Sequence, residues 1–247
     1  MIRQVAARLA LSATWLGLSI AAMAQAQDSR RAYDADSPAW LAAVGALSVP
    51  VQKQQQGQVR HFIEDCSATL LTRSTAKPAR IIVTAWHCIE HYHDLSRPIG
   101  FTLHAHSGHS EYRTARVLRQ GGGMHADWAI LQLATPIPAH FATGLTTKTD
   151  SVDTHGSLSM AGFSGDAGMG ENGTRLTFDP ACRVVQASSA VVDTDCSAFK
   201  GASGGAVVQV DAQGEARYVG VISEGDSQTL SRFVAITAFR TALEAEL

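Results

Sequence analysis

The feature that most constrains the fold is a long series of short β-branched or alternating apolar runs, each followed closely by Gly, Asn, Asp or Pro. Many short strands at close spacing, with turn residues between them, predict an all-β sandwich or barrel. The predicted strands are Leu41–Leu47, Val59–Phe62, Ser67–Leu71, Ile81–Thr84, Gly100–His104, Arg113–Arg119, Ala129–Leu133, Ser157–Gly162, Gly173–Thr177, Cys182–Gln186, Ala206–Val210, Tyr218–Ser223 and Phe233–Ile236.

One clear helix is predicted, at the end of the chain. Ile236, Phe239, Leu243 and Leu247 follow one another at i, i+3, i+7 and i+11. This spacing puts them on one face of a helix. We therefore expect Thr237–Leu247 to be a helix that docks a single apolar stripe on the body of the protein.

Residues 1–24 have the features of an export signal. Arg3 and Arg8 provide a basic start, Leu9–Ala22 is apolar, and Ala22-Met23-Ala24 is an A-x-A-like cleavage site. The apolar stretch of about 14 residues is shorter than the ~20 that a transmembrane helix needs, so a cleaved signal is favoured over a membrane anchor. The mature protein is predicted to be secreted or periplasmic, without membrane association once the signal is removed.

Two polar segments have less definite interpretations. Residues 25–38 form a leader that contains the dibasic pair Arg30-Arg31. This pair could be the processing site of a short pro-segment, or the leader could be an ordinary solvated segment. Gln52–Gln58 is a short low-complexity tract, which is most simply an exposed hairpin loop.

Charge and cysteine content narrow the possible functions. Removal of the signal removes two of the 20 basic residues and none of the 22 acidic ones, which leaves a net charge of 18 − 22 = −4. A weakly acidic chain of this kind argues against nucleic-acid binding. An even number of cysteines is compatible with disulfides or a metal site, and export favours disulfides. The four are Cys66, Cys88, Cys182 and Cys196.

The first candidate for chemistry is the loop Gly201-Ala202-Ser203-Gly204-Gly205. Glycines around a serine allow a tight turn that exposes the hydroxyl and directs N–H groups toward one point, although Gly/Ser linkers share this composition. The loop also fits G-x-S-x-G, the nucleophile elbow of α/β-hydrolases. That fold needs a histidine after the serine, and the last histidine of this chain is His155. The α/β-hydrolase interpretation is therefore excluded by chain order.

A serine nucleophile needs a base, and the base needs an orienting acid. His87 ends the apolar run Ile81-Ile82-Val83-Thr84-Ala85-Trp86-His87, and Asp127 directly precedes the apolar run from Trp128 to Leu133. Each of these residues alone could be an ordinary packed residue. The order His87, Asp127, Ser203 in an exported, β-rich chain favours a catalytic set.

These motifs resemble those of chymotrypsin/trypsin-fold serine peptidases over roughly residues 40–247. Thr84-Ala85-Trp86-His87-Cys88 is similar to T-A-x-H-C, Asp127–Leu131 to D-x-A-L-L, and Gly201–Gly205 to G-x-S-G-G. The resemblance implies His87 as general base, Asp127 as orienting acid and Ser203 as nucleophile. It also implies an oxyanion hole formed by the N–H groups of Gly201 and Ser203.

The same resemblance implies an architecture. It consists of two six-stranded Greek-key β-barrels with a C-terminal helix, the first barrel at 39–140 and the second at 141–247. The active site lies in the cleft between them. Gly220–Gly225 resembles the strand that pairs with the substrate backbone, which makes Ser223 and Gly225 substrate-binding residues, and Ser197 falls at the base of the specificity pocket. The implied disulfides are Cys66–Cys88 and Cys182–Cys196.

Two departures from the digestive enzymes matter. Ala202 occupies the position where those enzymes carry an aspartate that pairs with a new N-terminus, and no Ile-Val-Gly-Gly sequence precedes Trp40. The resemblance is therefore nearer to the bacterial glutamyl-endopeptidase-like branch, and no activation switch of the trypsin kind is expected. Ser197 at the pocket base predicts a neutral pocket for an apolar or uncharged side chain.

The histidines could also suggest zinc, because His87, His91 and His93, or His104, His106 and His109, have suitable spacings. A metal on His87 would leave it unable to take the serine proton. We therefore expect no metal and no cofactor, a polypeptide substrate and a monomer. The alternative is a catalytically silent binding module on the same fold, acting as an envelope or host-interaction factor.

Overall fold

The structure is a computed structural model that describes residues 28–105, 108–148, 150–227 and 230–247. The predicted export signal lies outside the described residues. The first strand, β1 (Arg31–Ala32), is followed by a 3₁₀ turn at Ala39–Ala43 and then by a six-stranded barrel. The barrel strands are β2 (Val44–Gln55), β3 (Gln58–Leu71), β4 (Ala79–Thr84), β5 (Ile99–His104), β6 (Ser110–Gln120) and β7 (Ala129–Ile137).

The first barrel is closed, with strand order β2-β3-β4-β7-β6-β5. Every pairing in it is antiparallel. Large apolar side chains such as Leu47, Ile82, Phe101 and Ile130 fill its interior and are almost completely buried. Closure leaves no open sheet edge, which makes this barrel a rigid support for the loops at its ends.

The hairpin between β2 and β3 corrects the predicted loop at Gln52–Gln58. The strands pair without interruption as far as Gln55 and Gln58, so the loop is only Gln56-Gly57. Both residues have positive φ, 52° and 76°. A two-residue turn of this kind matches the twist of antiparallel strands. The predicted strands Val59–Phe62 and Ser67–Leu71 are parts of the single strand β3.

The second sheet has nine strands. Besides β1, it contains β8 (Thr146–Thr147), β9 (Leu158–Phe163), β10 (Leu176–Cys182), β11 (Val184–Ala187), β12 (Val191–Thr194), β13 (Ala206–Val210), β14 (Ala216–Gly225) and β15 (Ser231–Ala235). The order is β1-β10-β9-β13-β14-β15-β12-β11, and β8 pairs with β14.

This second sheet is a half-barrel, where a closed six-stranded barrel was expected. Within the described part of the chain its end strands, β1 and β11, do not pair with each other. Instead, the Cys182–Cys196 disulfide joins the end of β10 to the residues after β12. Next to it, Asp195 N donates to Arg183 O at 3.1 Å. The disulfide and this backbone hydrogen bond therefore connect the end of β10 to the end of β12, two strands that do not pair in the sheet.

The chain ends in a 3₁₀ turn, Ile236–Ala238, and a short helix, α1 (Arg240–Glu244). The helix is shorter than predicted, but its apolar stripe is confirmed, since Ile236, Phe239 and Leu243 are at most 2% exposed. Phe239 stacks on Trp128 with ring centroids 5.3 Å apart. The C-terminus thus packs against the residue that follows Asp127. No helix among the described residues is long and apolar enough to cross a membrane.

Candidate active site

The Ser203 loop connects the two sheets. Ser67 N, on β3 of the first barrel, donates to Ser203 O at 2.8 Å. Gly204 N donates to Ile222 O on β14, also at 2.8 Å. Gly204 has φ +84°, and a side chain there would meet Ser67 O at 2.1 Å and Thr84 Oγ1 at 2.2 Å. Only glycine allows this close approach between the loop and the first barrel.

His87 and Asp127 are held at one end of the first barrel. His87 lies in a 3₁₀ turn, Trp86–Cys88, directly after β4, and the Cys66–Cys88 disulfide fastens this turn to β3. Asp127 directly follows another short turn, Met124–Ala126, and only Trp128 separates it from β7. Since β4 and β7 are paired neighbours, their adjoining turns bring the two side chains together.

The Asp127 carboxylate is completely buried and fully hydrogen-bonded. His87 N donates to Asp127 Oδ1 at 2.8 Å, and His87 Nδ1 lies 2.8 Å from Asp127 Oδ2. Ser223 Oγ donates to the same Oδ2. The imidazole itself is 29% exposed, whereas Asp127 is 0% exposed. The bond to Oδ2 requires the proton on Nδ1, which leaves Nε2 of the neutral ring as an acceptor.

The electrostatics of the pair follow from burial and hydrogen bonding. Burial by itself lowers the pKa of His87, but the hydrogen bond and the negative charge of Asp127 outweigh it and raise that pKa above its ordinary value. For Asp127, burial opposes ionisation, and the hydrogen bonds from His87 and Ser223 overcome it, so the pKa is lowered. The carboxylate is therefore ionised at neutral pH and stabilises a protonated imidazole.

The hydroxyl of Ser203 has a different partner in this structure. It donates to Ser223 O at 3.5 Å, and within the described residues no hydrogen bond joins it to His87. Such hydrogen bonds are often long or poorly aligned when no substrate is bound. A rotation of the serine side chain about its Cα–Cβ bond changes which group the hydroxyl faces.

Two N–H groups of the loop are available to an oxyanion. Among the described residues, neither Gly201 N nor Ser203 N donates to an acceptor, although both neighbours, Ala202 N and Gly204 N, do. Gly201 has φ +95°, and a side chain there would meet Phe163 O at 2.5 Å. Paired, preorganised N–H groups of this kind stabilise developing negative charge.

Ser67 orients the Gly201 peptide, a role that the sequence did not reveal. Its hydroxyl donates to Gly201 O at 2.8 Å and accepts from Phe163 N at 2.8 Å. Ser67 is 0% exposed. It is one of several small residues of β3, and nothing in the local sequence distinguishes it from its neighbours. Its hydroxyl has partners only because residues of the second sheet and its loops pack against β3.

The expected pocket residues lie together at the ends of β14 and β15. Gly225 pairs with Ser231, and a side chain at Gly225 would meet Ala198 O at 2.2 Å. Ser197 is buried, and its N–H donates to the buried carboxylate of Asp179 at 2.9 Å. Ser223, expected on the substrate-binding strand, is at its predicted position on β14, and its hydroxyl is engaged by Asp127.

Two cavities contain residues that were predicted to bind substrate or the oxyanion. One, of about 430 Å³, is lined by Gly225 and Ser231 and by the charged side chains of Asp193, Glu224, Asp226 and Arg232. The other, of about 590 Å³, includes Gly201, Lys200 and residues of β2 and β3. Larger cavities of about 830 and 840 Å³ lie elsewhere on the surface, and none of these four cavities is lined by His87, Asp127 or Ser203.

The histidines whose spacings could suggest zinc were expected not to bind a metal. Among the described residues, the one cluster of suitable donor atoms is formed by Cys66, His87 and Cys88. Both sulfurs of this cluster are bonded to each other in a disulfide, so they are not thiolate ligands. His106, a member of the second predicted group, lies outside the described residues.

The chain is similar to known proteins in sequence and in fold. Residues 66–221 match the family model described as a trypsin-like peptidase domain. No match was found among curated protein sequences. Solved structures give three similar folds, each below 20% identity, which therefore show the fold alone.

A Glu endopeptidase in complex with MPD has a TM-score of 0.63 at 17% identity, with 90% of this chain and 98% of that chain covered. The scabies mite inactivated protease paralogue has a TM-score of 0.59 at 15% identity, covering 84% and 95%. Rv3671c from M. tuberculosis, an inactive serine-to-alanine mutant, has a TM-score of 0.53 at 12% identity, covering 84% and 88%.

Proposed function

The chain belongs to the trypsin-like peptidase family, and from this premise we propose that it is a secreted serine endopeptidase. Ser203 is the nucleophile, His87 the general base and Asp127 the orienting acid. Every group that the reaction needs lies in one chain, which fits a monomeric enzyme.

The proposed reaction is acyl transfer through a covalent intermediate. His87 Nε2 takes the proton of Ser203 as its Oγ attacks a peptide carbonyl carbon. The N–H groups of Gly201 and Ser203 donate to the carbonyl oxygen as it becomes negative. The imidazolium then gives its proton to the leaving amine, the C–N bond breaks, and an acyl ester remains on Ser203. Water, deprotonated by the same histidine, hydrolyses the ester and regenerates the serine.

The observation that carries this proposal is the buried Asp127 carboxylate with its two hydrogen bonds from His87. Burying an ionised carboxylate is unfavourable unless its oxygens are hydrogen-bonded. Here the bonds go to the backbone and the ring of one histidine, which fixes both the position and the tautomer of that ring. This arrangement leaves Nε2 of the neutral ring as a proton acceptor.

Cleavage within a chain, as opposed to trimming of its ends, is part of this proposal. One cavity is lined by Gly201 and the other by Gly225, which gives room for substrate residues near both positions. The predicted pocket base, Ser197, carries no charge, and Ser231 Oγ donates to Cys196 O at 2.8 Å. The cavity beside Gly225 also has charged side chains in its lining, among them Glu224 and Arg232. We propose that the substrate side chain that reaches Ser197 is apolar or uncharged.

A catalytically silent binding module is the second candidate. One observation favours it, namely that the Ser203 hydroxyl donates to Ser223 O and, among the described residues, makes no hydrogen bond to His87. A fold of this kind is also found in a protein described as an inactivated protease paralogue. The two candidates differ in whether Ser203 reacts with an electrophile at the site.

A fluorophosphonate probe distinguishes them. We expect the folded protein to form a stable adduct that is lost in Ser203→Ala and retained in Ser189→Ala, a matched change at an exposed serine. An absence of labelling in folded wild-type protein contradicts the enzyme proposal and supports the binding module. A peptide library with uncharged, acidic and basic residues before the scissile bond then tests the neutral pocket.

A further inference from the structure

Arg30, which directly precedes β1, is buried against the second sheet and its loops, although the sequence places it in a polar leader. It is 5% exposed, and its side chain is 3% exposed. The guanidinium donates to Asp28 Oδ2 at 2.7 Å and to Asp166 Oδ1 at 2.8 Å. It also lies 3.6 Å from the centre of the Phe199 ring. The next residue, Arg31, is exposed on β1.

These contacts satisfy the buried charge completely. The hydrogen bonds from Arg30 lower the pKa of both Asp28 and Asp166, so both carboxylates are ionised near neutral pH. The planar guanidinium can pair with carboxylates at its edge while an aromatic ring covers its face. Three such partners are typical of a side chain packed into the fold and not of one in a solvated leader.

Two partners of Arg30, Phe199 and Asp166, belong to the segment that leads into the predicted oxyanion loop and to a second loop bonded to that segment. Phe199 lies two residues before Gly201. Asp166 is the third residue of the loop that follows β9, and in that loop Gly165 N donates to Lys200 O at 2.6 Å. Arg30 thus binds one loop through Asp166 and the other through Phe199, directly beside the point where the two loops bond to each other.

The neighbouring Ser29 makes a second, separate connection to the pocket. Its hydroxyl donates to Asp179 Oδ2 at 2.6 Å and lies 3.4 Å from Ser197 Oγ. Asp179 is 1% exposed and also accepts from Ser197 N. The N-terminal segment therefore contacts the pocket base as well as the oxyanion loop.

We propose that Asp28–Arg30 is a permanent clamp that positions the pocket base and the Gly201 peptide for catalysis. This proposal rests on the proposed serine-peptidase function. Arg30 acts through the loops it holds and is a positioning residue. The clamp lies within the chain, so it requires no newly formed N-terminus and no aspartate at the position of Ala202.

A direct consequence concerns the dibasic pair. Cleavage after Arg31 would remove Asp28, Ser29 and Arg30 together and release both loops. In the folded protein, the burial of Arg30 also withholds this pair from a processing peptidase. The active enzyme is therefore expected to retain Asp28, and processing at Arg30-Arg31 is expected to inactivate it.

The test compares Arg30→Met with Arg31→Met in the full chain. Methionine keeps much of the volume of arginine but has no charge and no donors. The adjacent exposed arginine controls for loss of one positive charge. For each folded variant we measure the fluorophosphonate labelling rate per active-site serine, and hydrogen exchange in peptides covering 164–173 and 196–203. N-terminal mass analysis of the exported, active protein is the third measurement.

We expect Arg30→Met to label at least about tenfold more slowly, because a loop that is competent for a tenth of the time lowers the apparent rate by that factor. Exchange should rise in both peptides and remain unchanged in β4. Arg31→Met should match wild type in both measurements. The active exported protein should begin at or before Asp28.

Several results would overturn the clamp. These are wild-type labelling in folded Arg30→Met, a lowered melting temperature with unchanged labelling and exchange, or an active exported protein that begins at Ala32. If Arg30→Met does not fold, Asp166→Asn replaces it, and unchanged labelling and exchange in that variant contradict the clamp. If wild type itself is not labelled, the peptidase proposal fails, and the exchange measurement alone still decides whether the segment orders the loops.

Discussion

Replacing Ser67 with alanine removes a hydroxyl that joins the two sheets beside the Ser203 loop. In the native protein this hydroxyl accepts from Phe163 N and donates to Gly201 O, both at 2.8 Å. Alanine removes both bonds and leaves the backbone bond from residue 67 N to Ser203 O in place. The change is therefore confined to the orientation of the Gly201 peptide and to two newly unpaired backbone groups.

The size of the effect follows from the burial of those two groups. Phe163 is 3% exposed, so its N–H cannot find water, whereas Gly201 is half-buried and its carbonyl can be partly solvated. An unsatisfied buried donor costs about 1–3 kcal/mol, and with a smaller contribution from the carbonyl the free energy of unfolding should fall by about 2–4 kcal/mol. For a chain of this size the melting temperature should fall by about 4–16 °C.

The effect on activity should appear in kcat. Loss of a whole oxyanion donor lowers kcat by about 10²–10³-fold, and a misaligned but present Gly201 N–H should lower it by about tenfold. Because Ser67 does not line the specificity pocket, KM should change little. The assays are chemical unfolding and steady-state peptide hydrolysis, with Ser110→Ala, an exposed serine on β6, as the matched control.

Two outcomes would contradict this role of Ser67. If Ser67→Ala unfolds within about 0.5 kcal/mol of wild type, as an ordinary surface substitution does, the hydroxyl does not satisfy two buried groups. If stability falls as expected but kcat is unchanged, the bond to Gly201 O does not orient the oxyanion hole. Either result would refute the assigned role of Ser67.

Three further predictions concern the triad and the disulfides. Asp127→Asn should lower kcat by about 10³–10⁴-fold in steady-state assays, because an amide facing Nδ1 favours the wrong tautomer of His87, and near-normal kcat would contradict this. Since the pKa of His87 is raised and the base must be neutral, kcat/KM should be high above that pKa and fall as the pH drops through it. A pH profile whose acid limb lies at or below the ordinary histidine value would contradict this direction. Replacing Cys182 and Cys196 by serine should reduce the free energy of unfolding by about 3 kcal/mol, measured in urea, and an unchanged midpoint would show that the disulfide is not needed across the gap in the half-barrel.

Local patterns in the sequence predicted much of the fold. The runs that became β4, β5, β7, β9 and β13 are recognisable because a buried strand needs consecutive or alternating apolar residues, whatever its partner. Strand ends were less predictable. The Gln52–Gln58 tract carries no apolar signal, yet it pairs as far as Gln55 and Gln58, because the Gln56-Gly57 turn fixes the register and backbone hydrogen bonds do not depend on the side chains.

Two short strands of the second sheet were not predictable. β12 (Val191–Thr194) contains only two apolar residues, and β1 has two residues in all. Neither is long enough to show a period. Backbone pairing stabilises each of them: β12 pairs with β15 and β11, and β1 pairs with β10. Which strand becomes the partner depends on how the rest of the chain folds.

The sequence by itself determined the all-β class and the three candidate catalytic residues, because glycines beside a serine and a histidine after an apolar strand are local signals. Only the tertiary structure decided what holds those residues in position. Ser67 meets Gly201 across 134 positions of sequence, and Arg30 meets Asp166 across 136. A single hydroxyl or guanidinium has no local pattern, because its role depends on which distant backbone or carboxylate the packing of the two sheets brings against it.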